Sequence, residues 1–237
     1  MDKKLKTNLT TDSHIIKLFA YDVFYKNHMV IGTDEAGRGP AAGGVFASAV
    51  CFNKRSRELV EKLSILNDSK QISKKNREIL YDIIIENSIN KTVCIGVEEI
   101  EKINILNASL KAMKLAVEDV LKRAALAEAL EGNYQKFFVL VDGNKKIKDF
   151  DLCSQKWVVK GDATSASIAA ASILAKVSRD RYMQELDNEF PQYGWAKNAG
   201  YLTKEHLEAI DKYGLTKYHR PSFLKKHFAK QEQLSLF

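Results

Sequence analysis

Three apolar runs in this chain end on carboxylates, and that pattern limits the possible folds more than any other feature. Residues 136–144 read KFFVLVDGN, a continuous β-branched and aromatic run closed by Asp142. Such a run suits a central strand covered on both faces. Residues 156–162 read KWVVKGD, a shorter run closed by Asp162 at a strand-to-helix transition. Residues 29–35 end on two adjacent acids, Asp34 and Glu35, and a loop rich in Gly and Pro separates them from GVFASAVCF at 44–52. The spacing predicts two strands of a hairpin with an unusually long connection.

Helical periodicity fills the intervals. Ser73 can cap a helix to about residue 87, striped by Ile79, Leu80, Ile83 and Ile84. KTVCIGV at 91–97 reads as a third strand. Leu106, Leu110, Met113, Val117 and Val120 recur at steps of three and four, predicting a long helix to about residue 127. Thr164 and Ser165 can cap SIAAASILAKV, whose small residues permit close approach to a sheet. From about 178 to 230 the sequence reads as helices joined by turns bearing Gly and Pro. Strands first as a meander and then alternating with helices imply an α/β fold with a mixed sheet covered on both sides. Residues 1–27 read as an extension packing on one large domain at 28–230.

Composition narrows the partners. Thirty-seven Lys and Arg against thirty Asp and Glu give a formal charge of +7 and a pI near 9.1. That balance favours a polyanion, either nucleic acid or an anionic membrane surface. The apolar stretches fall short of a membrane span and the N-terminus lacks a signal-peptide core, so a soluble cytoplasmic protein is expected. Cys51, Cys94 and Cys153 are widely spaced and form no CxxC pair. They are expected to be buried thiols rather than disulfides or zinc ligands.

If the acid-ended strands are neighbours and end at one sheet edge, Asp34, Glu35, Asp142 and Asp162 meet. Clustered carboxylates repel one another, and Mg²⁺ or Mn²⁺ removes that penalty. Two such ions about 3.5–4 Å apart suit phosphodiester cleavage. Each acid alone also reads as a helix cap, a turn residue or a solvated strand end.

The motifs GTDEAGRGP (32–40), NDSK (67–70), INILNASL (103–110), VDGN (141–144), KGD (160–162), SIAAASILAKVSRD (167–180), FPQYGWAKNAGY (190–201) and HRPSF (219–223) occur in this order. Together they resemble a bacterial ribonuclease HII over residues 29 to 224. The resemblance implies a ribonuclease-H-like mixed five-stranded sheet flanked by helices, with a helical C-terminal portion from about 178. It implies a site of Asp34, Glu35, Asp142 and Asp162 holding two Mg²⁺ or Mn²⁺ ions. By the same likeness Asp34 bridges both ions, Glu35 and Asp142 serve one, and Asp162 serves the other. The turn Gly37-Arg38-Gly39 would contact ribose hydroxyls, with Arg38 adding a phosphate contact, and Tyr201 would pack on the deoxyribose beside the last ribonucleotide. The implied substrates are RNA/DNA hybrids and ribonucleotides embedded in duplex DNA, as in primer removal and ribonucleotide excision repair. They are cut on the 5′ side to leave 3′-hydroxyl and 5′-phosphate ends.

Ser69, Lys70, Lys160, Lys176, His219 and Arg220 are basic or small polar residues within these motifs, expected as duplex-backbone contacts. The chain ends QLSLF after a polar stretch that reads as a tether. This peptide resembles those that dock on the bacterial sliding clamp, with Gln233 as polar contact and Leu234, Leu236 and Phe237 as anchors. A monomer is expected. Two other classes, a non-catalytic nucleic-acid-binding domain and a phosphohydrolase of small nucleotides, fit less well. The four acids disfavour the first, and the lack of a GxxxxGK[ST] phosphate cradle disfavours the second. Ribonuclease HIII shares the catalytic body but adds an N-terminal domain, whereas 28 residues precede the first strand here. Ala-Ala-Gly-Gly at 41–44 departs from the bulkier stretch of many relatives and leaves the acids untouched.

Overall fold

A computed structural model describes residues 14–234 apart from 26, 133 and 134, and of residues 230–234 it describes the backbone alone. Helix α1 spans residues 14–23. Strands β1 (His28–Ala36), β2 (Val45–Cys51), β3 (Ile89–Ile95), β4 (Lys136–Asp142) and β5 (Ser154–Val158) form one sheet in the order β3-β2-β1-β4-β5. The first three strands pair antiparallel, and β4 lies parallel to both β1 and β5. Between and after them come α2 (Arg57–Lys62), α3 (Lys74–Glu86), α4 (Val97–Ile103), α5 (Ile105–Leu130), α6 (Ala166–Glu189), α7 (Trp195–Asn198), α8 (Lys204–Tyr213) and α9 (Pro221–Leu234). The mixed five-stranded α/β sheet is the one expected.

Alternation along the central strands divides the core. Met29, Ile31, Val139 and Val141 face α5, with Ala108, Ala112, Met113 and Val117 against them. On the other face, Val50 packs with Ala169, Ala170, Ile173 and the apolar sides of α1, α2 and α3, while Val30 and Leu140 meet Ile168. A period of two in the strands therefore serves both layers at once. Helix α6 lies unusually close to the sheet. A Cβ built on Gly32 of β1 would stand 2.2 Å from the Ser167 carbonyl carbon, so only glycine admits the helix there.

The start of α6 is fastened from the far end of the chain. Ser165 caps the helix by accepting the Ile168 N–H. Buried Asp22 of α1 accepts the Ser165 hydroxyl, the Ser167 hydroxyl at 2.7 Å and the Ser167 N–H at 2.9 Å. Helix α6 continues unbroken through residue 178 and carries Met183 and Leu186 into a third core. There they meet Ala41, Ala42, Tyr193, Trp195, Ile210 and Leu224. The C-terminal helices are thus held to the sheet by a shared helix and a shared apolar cluster.

Some sequence expectations shift. The third strand starts and ends two residues earlier, because Gly96 caps α4 and takes Val97 into that helix. Helix α5 runs three residues past 127, through the helix formers Glu128, Ala129 and Leu130. The short helices α2 and α4 were not anticipated. Cys94 is exposed on edge strand β3 rather than buried. The stretch read as a tether, 225–232, continues α9.

Candidate active site

Parallel pairing sets the acids side by side. The β1–β4 register matches Thr33 with Val141, so Asp34 and Asp142 follow at the same end of adjacent strands. After β5 the chain turns through Lys160, whose φ of 55° is left-handed, into a 3-10 turn at Gly161–Ala163 that carries Asp162. That turn is tied to β4, because Asp142 Oδ1 accepts the Gly161 N–H at 2.7 Å. A side chain at Gly161 would press within 2.5 Å of Ile168 Cδ1 and 3.0 Å of Asp142 Oδ1. Asp162 therefore reaches the cluster from a turn beyond the end of its strand.

The four carboxylates behave as one electrostatic group. Burial holds the Asp34 carboxyl well above its ordinary range, and repulsion from Glu35, Asp142 and Asp162 adds to this. Glu35 is likewise raised by burial, opposed by Arg38, whose Nη1 donates to Glu35 Oε1 at 3.2 Å. Asp162 is pushed up to about 6, first by burial and then by Asp142 and Asp68. Lys70 faces both Glu35 and Asp162 and lowers them. Asp68, which hydrogen-bonds Asp162, was missed in the sequence, although it sits in the NDSK motif beside Ser69 and Lys70.

Among the described residues no three His, Cys, Asp or Glu side chains already stand in a metal-ligating array. Asp34 Oδ1 is engaged by the Glu35 N–H at 2.7 Å, Glu35 by Arg38, and Asp142 by Gly161. The donor chemistry nonetheless suits a divalent cation. All four groups are hard carboxylate oxygens, and their shared repulsion is what such a charge neutralises.

Flanking the acids, the Gly37-Arg38-Gly39 loop is fixed from beneath by two buried guanidinium groups. Arg220 donates to the carbonyls of Pro40 (2.8 Å) and Gly43 (2.8 and 2.6 Å) and more loosely to that of Arg38 (3.4 Å). Arg179 donates to the carbonyls of Gly44, Ala42 and Ala199. Gly37 has a φ of +98°, and a Cβ there would stand 2.1 Å from Arg179 Nε, so both conformation and space require glycine. Gly39 is exposed, and its Cβ position lies 3.3 Å from Cε1 of the half-exposed Tyr201 ring.

Several expected duplex contacts are placed elsewhere. His219 and Arg220 are 1% and 0% exposed, so neither is a surface phosphate contact. Their polar atoms are spent on Thr216, His206 and loop carbonyls. Lys176 is half-buried and paired with Asp180 at 2.6 Å. Ser69 is buried, with its carbonyl accepting from Arg77 at 2.9 Å. Arg38, Lys70 and Lys160 are exposed beside the acids, as a backbone contact requires. The QLSLF peptide lies outside the described residues beyond Leu234, and nothing of the Gln233, Leu234, Leu236 or Phe237 side chains is described.

Comparison with known proteins identifies the family. A family model for ribonuclease HII matches residues 31–231. A ribonuclease HII from Fusobacterium nucleatum is 48% identical over 217 residues, covering 91% of this chain and 94% of that one. Among solved structures, ribonuclease HII from Archaeoglobus fulgidus, determined as a complex with PCNA, is similar in fold. Its TM-score is 0.58 at 22% identity, over 81% of this chain and 93% of that one. Bst-RNase HIII in complex with Mn²⁺ gives a TM-score of 0.63 at 17% identity, over 93% of this chain and 73% of that one. No helix among the described residues is long and apolar enough to cross a membrane. Sequence identity along nearly the whole chain, on a sheet that gathers four acids beside a glycine-rich loop, places this protein in the ribonuclease HII family as a ribonuclease H enzyme.

Proposed function

We propose that the protein is an endoribonuclease that cuts the RNA strand of RNA/DNA hybrids and the 5′ side of ribonucleotides embedded in duplex DNA, using two Mg²⁺ or Mn²⁺ ions. The observation that carries this reading is the joining of Asp34, Glu35, Asp142 and Asp162, from three separate parts of the chain, into one mutually repelling group. Bound divalent cations supply Lewis acidity at the attacking water and the leaving 3′ oxygen. Asp34, Glu35, Asp142 and Asp162 hold that charge at the sheet edge.

The loop reads the sugar. A trans peptide sets its N–H opposite its C=O, so the Arg38 carbonyl turned toward Arg220 directs the Gly39 N–H away from the interior. An outward amide without a Cβ beside it can reach a 2′-hydroxyl, the group that separates RNA from DNA. Tyr201, whose half-exposed ring lies against Gly39, stacks on the next sugar and favours a deoxyribose there. Arg38, Lys70 and Lys160 follow the phosphate backbone, and binding weakens steeply as salt rises. The protein acts as a cytoplasmic monomer, and QLSLF offers Leu234, Leu236 and Phe237 to a sliding clamp. The Archaeoglobus fulgidus relative, solved with PCNA, supports that last reading.

The test is a labelled duplex with a single ribonucleotide, incubated with and without Mn²⁺. Metal-dependent cleavage on the 5′ side of the ribonucleotide, leaving 3′-hydroxyl and 5′-phosphate ends, is expected. Binding without cleavage, or hydrolysis confined to free nucleotides, refutes it. Deleting QLSLF should abolish clamp pull-down while leaving cleavage of the free duplex intact.

A further inference from the structure

Beneath Tyr201 lies a hydrogen-bonded chain of buried side chains with no part in phosphodiester chemistry. His206 is 0% exposed and His219 1%. The Trp195 Nε1–H reaches His206 Nε2 at 3.0 Å, and an indole N–H can only donate. His206 Nε2 is therefore unprotonated, and the neutral ring carries its proton on Nδ1. That proton points at the Tyr201 carbonyl, 2.9 Å away, which can only accept. The Thr216 N–H donates to His219 Nδ1 at 2.9 Å, so the His219 proton sits on Nε2, 3.2 Å from His206 Nε2. One assignment of protons accounts for every bond of the chain, with the single lone pair of His206 Nε2 shared between Trp195 and His219, and it fixes the two rings in opposite tautomers.

The output of the chain is the Tyr201 peptide. Its carbonyl takes the His206 proton and the Thr203 N–H at 2.9 Å, while its N–H donates to Asn198. With both ends of the residue tied, the half-exposed ring is held against Gly39. On the same side, Ala41 N–H donates to Gly200 and Gly43 N–H to Tyr218, so the loop and the tyrosine share one support.

We propose that His206 is a positioning residue for junction recognition: its Nδ1–H, which Trp195 and His219 fix as the protonated nitrogen of the ring, sets the Tyr201 ring at the sugar next to the ribonucleotide. This rests on the reading of Tyr201 given above. The residue touches no substrate and acts through the tyrosine backbone.

Two conservative variants of the full-length protein separate positioning from general packing. In His206→Asn the amide nitrogen occupies the place of Nδ1 and keeps the donor to Tyr201. In His206→Gln the side-chain oxygen occupies the place of Nε2, keeping the acceptor for Trp195 and losing the bond to Tyr201. The readout is kcat/KM on a single-ribonucleotide duplex divided by kcat/KM on a uniform hybrid. His206→Asn should hold that ratio near wild type, and His206→Gln should lower it about fivefold, the scale of one neutral hydrogen bond. Equal ratios in both variants overturn the proposal. Tyr201→Ala is run beside them. If it leaves the ratio unchanged, the reading of Tyr201 fails and takes the proposal with it; if it lowers the ratio and His206→Gln does not, the proposal alone fails. Imidazole ¹⁵N NMR of the wild type gives a test independent of folding. A neutral Nδ1–H tautomer at His206 is expected, and the Nε2–H tautomer refutes the inference.

Discussion

Acid should destabilise the fold through the packing of its C-terminal helices, and His219 allows the size of that effect to be worked out. Burial, then the neighbouring His206, depress the His219 imidazole from 6.5 to about 4. Its surroundings are His206 from α8, Trp195 at the start of α7, Tyr193 from the turn before it, and the Thr216 amide, with Arg220 next in sequence. A histidine whose folded pKa lies below its unfolded value is protonated first in the unfolded chain. The penalty is absent above pH 7, grows as pH falls below 6.5, and levels off below about 4. Across the whole window it amounts to roughly 3 kcal/mol, and between pH 7.5 and pH 5 to about 2 kcal/mol. His206, lowered by the same burial, adds in the same direction.

The control is His219→Asn, whose side-chain oxygen replaces Nδ1 as acceptor for the Thr216 N–H and does not titrate. Urea unfolding of both proteins at pH 7.5, 6 and 5 should show the wild type losing about 2 kcal/mol more than the variant. That difference is a fall of about 0.7 M in midpoint at an m-value of about 3 kcal/mol/M for a chain this size. Curves for the two proteins that stay parallel over this range mean that His219 is not held neutral, and the proton assignment of the whole chain fails with it.

Other outcomes follow from contacts already described. Asp34→Asn should abolish cleavage yet stabilise the metal-free protein by about 0.5–2 kcal/mol, because a carboxyl raised by burial and like charges is strained when ionised at pH 7. Mn²⁺ should raise the Tm of the wild type and leave that of the variant unmoved; equal shifts in both would place the metal elsewhere. Gly32→Ala forces a methyl to 2.2 Å from the Ser167 carbonyl carbon and should cost about 3 kcal/mol or more by urea titration. Asp22→Ala strips three bonds from Ser165 and Ser167 and should cost about 2–4 kcal/mol, with activity falling because α6 begins just after Asp162. An Asp22→Ala protein of wild-type stability contradicts the capping role.

The sequence exposes whatever is local. The run 136–142 declared its strand, and the Leu106-to-Val120 stripe its helix, because burial of an element repeats with its own period. The acids at strand ends were legible for the same reason. His219 and Arg220 were misread as duplex contacts, since a charged or titratable side chain normally points at water. What reverses that in Arg220 is a set of carbonyls at 38–43, some 180 residues earlier. No pattern within HRPSF announces them. The N-terminal extension hid its role likewise: Asp22 is one acid in a mildly apolar segment until α6 supplies three donors. Asp68 went unnoticed because its partner, Asp162, is met only in three dimensions.

Joining Asp22 to residues 165 and 167 spans 143 and 145 positions of chain, and β1 waits more than a hundred residues for β4. Contacts of such range are costly to close and slow to form. During synthesis, the first hundred-odd residues can build the antiparallel meander, while its exposed edge and the lone Asp34-Glu35 pair lack their counterparts. Competence for cleavage therefore arrives in one late step, and a ribosome-bound fragment ending before residue 162 should carry no nuclease activity.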